Sequence, residues 1–182
     1  ADFNELQNKA QRTGEQILEI LNNSRMDKNR REELARRWNT LNEEINMILS
    51  NAGKELEPLQ KKLATESPKV KKQQEAFEKD YKAFEKDVEK FESRCNDKTP
   101  PSQAESCREE AAKLKERQTE IQKRQEHLNK AVKELNKVIE TFKTTVAKYE
   151  TQLKSWLQEA TTLLQDAQAA AHKSQPARLI AQ

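Results

Sequence analysis

The sequence predicts an all-α protein: an elongated antiparallel helical hairpin, a coiled-coil stalk, with a three-helix-bundle base. Three observations carry that expectation. Charged residues make up 36% of the 182 residues and aromatics only 5%, with two glycines in the whole chain. This composition suits long helices and starves a β-sandwich of turns. Apolar residues recur at alternating steps of three and four, the seam of a heptad helix. The 34 basic and 31 acidic residues are interleaved and leave a net charge of only +3, so self-repulsion is weak and disorder has little to drive it.

The first helix is read from Phe3, Leu6, Ala10, Thr13, Ile17 and Ile20. It should stop at Asn22-Asn23-Ser24, three poor helix formers, and Ser24 or Asp27 should cap the next helix. A second helix carries Leu34, Trp38, Leu41, Ile45, Ile48 and Ala52, then Leu56, Leu59 and Leu63. Gly53 and Pro58 lie inside it, so a kink or short break is expected between Ser50 and Pro58. A further break is expected at Ser67-Pro68, where Ser would cap and Pro would open a new helix. The third segment keeps the cleanest seam: Val70, Gln74, Phe77, Tyr81, Phe84, Val88, Phe91 and Cys95. A fourth restarts at Cys107 and holds the alternation to Ala170, with Pro176 as the latest helix end. Polypeptide without a partner helix has no reason to hold such a register.

The turn at Pro100-Pro101 should fold the third segment back on the fourth. Pairing residues whose numbers sum to 202 sets Cys95 opposite Cys107 and Phe91 opposite Ala111, on a shared seam, so a disulfide is expected. The same rule leaves Trp38 and Trp156 out of opposition, each a core anchor. Each long arm would run about 100 Å at 1.5 Å per residue. The first helix, about 35 Å, would reach only one end. Between Ser155 and Ala171 the sole charges are Glu159 and Asp166, and a helix touching two neighbours needs so wide an apolar face. One domain over 1–182 is therefore expected: a base of 1–66 with 135–172, a stalk and tip over 68–134, and a flexible tail at 173–182. The stretch E-L-A-R-R-W-N-T-L-N-E-E-I resembles one helix of a spectrin-type repeat, with Trp38 on its seam. No role is carried over from that likeness, which covers about a dozen residues and a pattern shared by many bundles.

Chemistry-bearing clusters are scarce. His127 and His172, the two histidines, have no His, Cys or carboxylate four residues away, so no metal site is expected. Neither a nucleophile triad nor a glycine-rich phosphate loop can be assembled. No catalytic residue and no cofactor is therefore expected. The basic runs Lys28 to Arg37, Lys69 to Lys72 and Lys113 to Arg124 are interleaved with or followed by Glu and read as solvated faces rather than a nucleic-acid groove. Asn22-Asn23-Ser24 is a glycosylation triplet that would matter only in a eukaryotic secretory route. No run of 18 apolar residues predicts a transmembrane segment.

The cysteine pair points to an oxidising compartment, periplasmic or extracellular. A chain opening Ala1-Asp2-Phe3 fits export followed by signal-peptide removal. The function expected is a non-catalytic interaction or scaffold protein, secreted or of the cell envelope, presenting a binding surface on a rigid rod. Its expected contact is the tip loop Asn96, Asp97, Lys98, Thr99, Pro100, Pro101, Ser102 and Gln103, clamped by Cys95 and Cys107. A protein partner, peripheral envelope contact and homodimerisation all suit this reading. The alternative is a holdase-like chaperone or carrier whose arms hinge at Ser67-Pro68 and clasp apolar clients.

Overall fold

The computed structural model describes the backbone of residues 2–181 and the side chains of residues 2–171. It is all-α: α1 (Phe3–Asn23), α2 (Lys28–Arg94), a 3-10 turn (Pro101–Gln103) and α3 (Ala104–Ala181), with no strand among the described residues.

Local chemistry sets the helix ends. Asp2 caps α1, its carboxylate accepting the Glu5 N–H at 2.8 Å. The helix stops at Asn23, where Ser24 turns extended and its N–H returns to the Ile20 carbonyl at 3.0 Å. The Arg31 guanidinium donates to the carbonyls of Leu21 and Ser24. It thereby satisfies orphan acceptors and sets a cation on the negative end of α1. Asp27 caps α2 by accepting the Arg30 N–H at 3.2 Å.

No break occurs between Ser50 and Pro58 or at Ser67-Pro68. α2 runs unbroken for 67 residues through Gly53, Pro58, Ser67 and Pro68, so four expected segments become three helices. A proline inside a helix costs roughly 3 kcal/mol through its missing N–H and its ring. That local cost is outweighed where the neighbouring turns are anchored. Ala52 and Leu56 are buried against Tyr149 just before Pro58, and Val70 is buried just after Pro68. α3 likewise passes Pro176, where a helix end was expected. The side chains of 172–182 lie outside the described residues, and with them His172 and the expected flexible tail at 173–182.

The chain forms two compact units, residues 1–59 with 141–182, and residues 60–140. In the first, three helices share one core. Leu6, Ala10, Ile17 and Leu21 come from α1, Leu34, Trp38, Leu41 and Ile45 from α2, and Leu153, Trp156, Ala160, Leu163 and Ala167 from α3. Among these Ile17, Leu34, Leu153 and Leu163 are completely enclosed. The charge-poor stretch of α3 is the one that supplies this core, as a helix with two neighbours requires.

The tryptophans correct the constant-sum rule. Trp38 and Trp156 meet edge to face, with ring centroids 6.5 Å apart at 68°, and the Trp156 indole donates to the Leu41 carbonyl at 2.7 Å. The rule was calibrated on a two-helix seam. In this unit α1 enters the core as well, and the packing of three helices sets its own local alignment. Gly14 shows how tightly α1 approaches, because a Cβ there would sit 2.8 Å from the Trp38 ring. At Gly53 a Cβ would meet nothing within 4 Å. Alanine should therefore have opposite effects at the two glycines. Gly53→Ala should stabilise by about 0.5–1 kcal/mol through helix propensity. Gly14→Ala should destabilise by about 1–3 kcal/mol despite the same propensity gain, because a buried indole cannot yield freely. Urea unfolding of both variants is the check, and a shift of the same sign in both contradicts the close approach.

The second unit, taken by itself, is an antiparallel pair formed by the distal part of α2 and the proximal part of α3. Two helices enclose a seam poorly. Val70 and Ile121 are buried, whereas Phe77, Phe84, Val88, Phe91, Leu114 and Leu128 are half-buried and Tyr81 is 42% exposed. Cross-helix ion pairs flank the seam at heptad spacing. Arg124 meets Asp80 at 2.7 Å, Arg117 meets Asp87 at 2.6 Å, and Arg94 reaches both oxygens of Glu110 at 2.9 Å. Arg117 and Arg124 also cover the rings of Phe84 and Phe77, 5.4 and 5.9 Å from the centroids. The Arg117 hydrogen bond holds the Asp87 carboxyl below its usual range. The pair is therefore intact at neutral pH and is lost only as the pH falls through that lowered value. In the first unit, burial and a hydrogen bond with Glu55 push the Tyr149 phenol up.

Candidate functional site

The loop between α2 and α3 is exposed yet held by a disulfide and by side-chain hydrogen bonds. Cys95 ends the seam of α2, its N–H still bonded to the Phe91 carbonyl at 2.8 Å. Its Sγ lies 2.04 Å from that of Cys107, with Cα atoms 5.8 Å apart, and no free cysteine remains. The disulfide pairing read from the seam is the one observed. Both half-cystines are half-buried, in line with their place on a two-helix seam.

Inside the clamp, Asn96 and Thr99 tie the backbone together. The Thr99 hydroxyl accepts the Asn96 N–H at 2.8 Å and donates to the Arg94 carbonyl at 2.7 Å. The Thr99 N–H returns to the Asn96 carbonyl at 3.0 Å. The Asn96 side-chain amide donates to the carbonyls of Glu92 and Ser93, closing the open end of α2, while its oxygen accepts the Lys98 N–H at 2.9 Å. Side-chain caps of this kind satisfy acceptors that would otherwise need water. Pro100 then holds extended backbone, Pro101 opens the 3-10 turn, and the Gln103 N–H bonds the Pro100 carbonyl at 3.0 Å. α3 starts directly from that turn.

The outcome is a fixed backbone with free side chains. Asp97, Lys98, Pro100, Pro101, Ser102 and Gln103 are exposed, whereas Thr99 is half-buried because its hydroxyl is committed inward. A shallow groove of about 570 Å³ runs beside the disulfide. Its walls include Phe91, Pro100, Ala104 and Ala111 as apolar surface and Asp97 and Arg108 as charges. Phe91, Ala104, Arg108 and Ala111 were not among the expected contact residues. Each sits one position or one helical turn from a half-cystine, which is the signal that could have placed them. Chemically, the arrangement offers a flat apolar floor with one charge of each sign at its rim. That is the makeup of a small protein contact.

The remaining residues singled out in the sequence do not converge. His127 is exposed and lines a hollow of about 350 Å³ with Phe77, Lys123 and Leu128. Among the described residues no group of three or more His, Cys, Asp or Glu side chains is arranged to hold a metal ion. No helix there is long and apolar enough to cross a membrane. Compared with protein-family models, curated proteins and solved structures, the chain matches none of them.

Proposed function

We propose that the chain is a non-catalytic interaction or scaffold protein of an oxidising compartment, periplasmic or extracellular, that offers a protein partner the closed tip of its helical hairpin. The observation that carries this reading is the double restraint on the tip. The Cys95–Cys107 bridge and the Asn96–Thr99 hydrogen bonds immobilise the loop backbone, while Asp97, Lys98, Ser102 and Gln103 stay exposed. A surface already fixed in one conformation loses little entropy on binding. A bare turn between two helices needs neither restraint, since the 3-10 turn and its prolines reverse the chain by themselves.

The compartment is inferred from the same bridge, because disulfides form and persist where thiol reductants are scarce. The clasping alternative drew on lysine-rich arms and on a hinge at Ser67-Pro68, and α2 is unbroken at that hinge.

The test keeps the clamp and changes only the free side chains. The quadruple variant Asp97→Ser, Lys98→Ser, Ser102→Ala, Gln103→Ala retains Cys95, Asn96, Thr99, both prolines and Cys107. Proteins of the native envelope or secreted fraction are captured on wild type and variant, with circular dichroism confirming equal helix content. A partner held by wild type should be retained at least about tenfold less by the variant. Equal retention removes the tip from the binding surface.

A further inference from the structure

The three-helix unit carries a groove, apart from the tip, whose lining residues come from α2 and α3 and not from α1. Two adjoining hollows, of about 320 and 380 Å³, run between α2 and α3. From α2 the groove is lined by Thr40, Glu44, Met47 and Asn51, and from α3 by Gln152, Ser155, Glu159 and Thr162. Both sets keep the alternating three-four spacing, so each is one straight stripe over about three helical turns. The floor is apolar, with Leu41, Ile48 and Trp156 beneath it. Met47 stands 65% exposed at the edge, the most exposed large apolar side chain among the described residues.

The charges select the occupant. Both hollows share Glu44 and Glu159, one carboxylate from each wall. Among the described residues neither forms a salt bridge, although salt bridges are frequent along this chain. Arg37 also lines the second hollow, and its guanidinium is committed to Asp166 at 2.8 Å. Of the two charges between Ser155 and Ala171, Asp166 is paired with Arg37, and Glu159 has no salt bridge among the described residues. A protein with a net charge of +3 here presents a locally negative, apolar-floored trough with small polar shoulders.

We infer that this groove receives an amphipathic helix of a partner protein that sets a lysine or arginine between Glu44 and Glu159, with apolar residues three or four positions to either side. Such a helix would lay its stripe along the two walls as a fourth helix, the usual mode of helix-in-groove recognition. Met47, unbranched and polarisable, would adapt to the incoming apolar residues. The central cation would set partner choice and orientation, because an anionic residue there meets two carboxylates.

The probes are two synthetic amphipathic helices of about 20 residues with leucine and alanine on the seam, identical except for a central lysine or glutamate. Binding is read by fluorescence anisotropy and by amide chemical shifts of the full chain. The lysine peptide should bind at least about tenfold more tightly, with shifts centred on residues 40–51 and 152–162. Glu44→Gln with Glu159→Gln should abolish the preference while leaving helix content unchanged, and Met47→Asp should weaken both peptides. The tip variant above should bind the lysine peptide like wild type, which separates this surface from the tip. Equal binding of the two peptides, a preference that survives the double variant, or shifts elsewhere would each overturn the inference. Self-association of the chain by sedimentation, abolished by Met47→Asp, would put a second copy in the groove and overturn it too.

Discussion

Replacing Trp156 with alanine should cost the three-helix unit about 3–5 kcal/mol, among the largest effects expected of a single substitution in this protein. The side chain is 3% exposed, its ring meets Trp38 edge to face, and its N–H bonds the Leu41 carbonyl. Truncation removes the buried area, the ring pair and the hydrogen bond together, and a cavity remains because Leu153, Ala160 and Leu163 are held by their own helix. Trp156→Phe separates these contributions. It keeps most of the volume and loses the indole donor, so about 1 kcal/mol is expected. The two tryptophans are the only ones in the chain, and both lie in this core. Urea unfolding followed by the fluorescence of the remaining Trp38 therefore reads this unit directly. A loss below about 1 kcal/mol in the alanine variant would mean that the tryptophan pair does not anchor the core.

The second large effect belongs to the other unit. Cys95 and Cys107 close a loop whose ends are 12 positions apart, and cross-linking so short a span removes roughly 3 kcal/mol of unfolded-chain entropy. In a three-helix core that sum would be one contribution among many. Residues 60–140 bury their seam only partly, with Val70 and Ile121 as the well-buried side chains, so the bridge is a large share of their stability. Cys95→Ala with Cys107→Ala should raise amide exchange near the tip by about a hundredfold, the equivalent of that free energy at 1.4 kcal/mol per tenfold. Wild type in a thiol reductant should behave the same way. Tryptophan fluorescence reports the other unit and serves as the internal control. Unchanged exchange at residues 84–118 in both samples would show that the seam alone holds the hairpin.

Much of this architecture could be read from the residues, and the failures have one physical origin. The seam from Val70 to Cys95 and its continuation from Cys107 specify helix, partner and turn at once, because the three-four alternation has no other use. That is why the cysteine pairing was legible. No break follows at Pro58 or Pro68, because the cost of a proline is local and the anchoring of Ala52, Leu56 and Val70 is not. Trp38 and Trp156 misled for a related reason: an alignment measured at a two-helix tip was extended into a three-helix core. At the tip, the cysteines and prolines announced a clamped loop. The Asn96–Thr99 lock was hidden, since any Asn and Thr three apart allow such bonds but only a fixed backbone forms them. The groove of Glu44 and Glu159 was hidden as well, because carboxylates become conspicuous only once the cation beside them, Arg37, is known to be committed to Asp166.

The ladder of ion pairs has a consequence for how the hairpin finds its alignment. A seam that repeats every seven residues is nearly blind to a slip of one repeat, since apolar residues would again face apolar ones. The rungs are not blind to it. Two of them place aspartate on α2 and arginine on α3, and the third, Arg94 with Glu110, is reversed. Sliding one way brings Arg94 against Arg117, and sliding the other way brings Asp87 against Glu110. Each exposed pair is worth only about 0.2–1 kcal/mol, yet either misalignment exchanges three attractions for one attraction and one repulsion. The inverted rung thus works as a proofreading mark, steering the two arms into the one alignment in which the cysteines can meet.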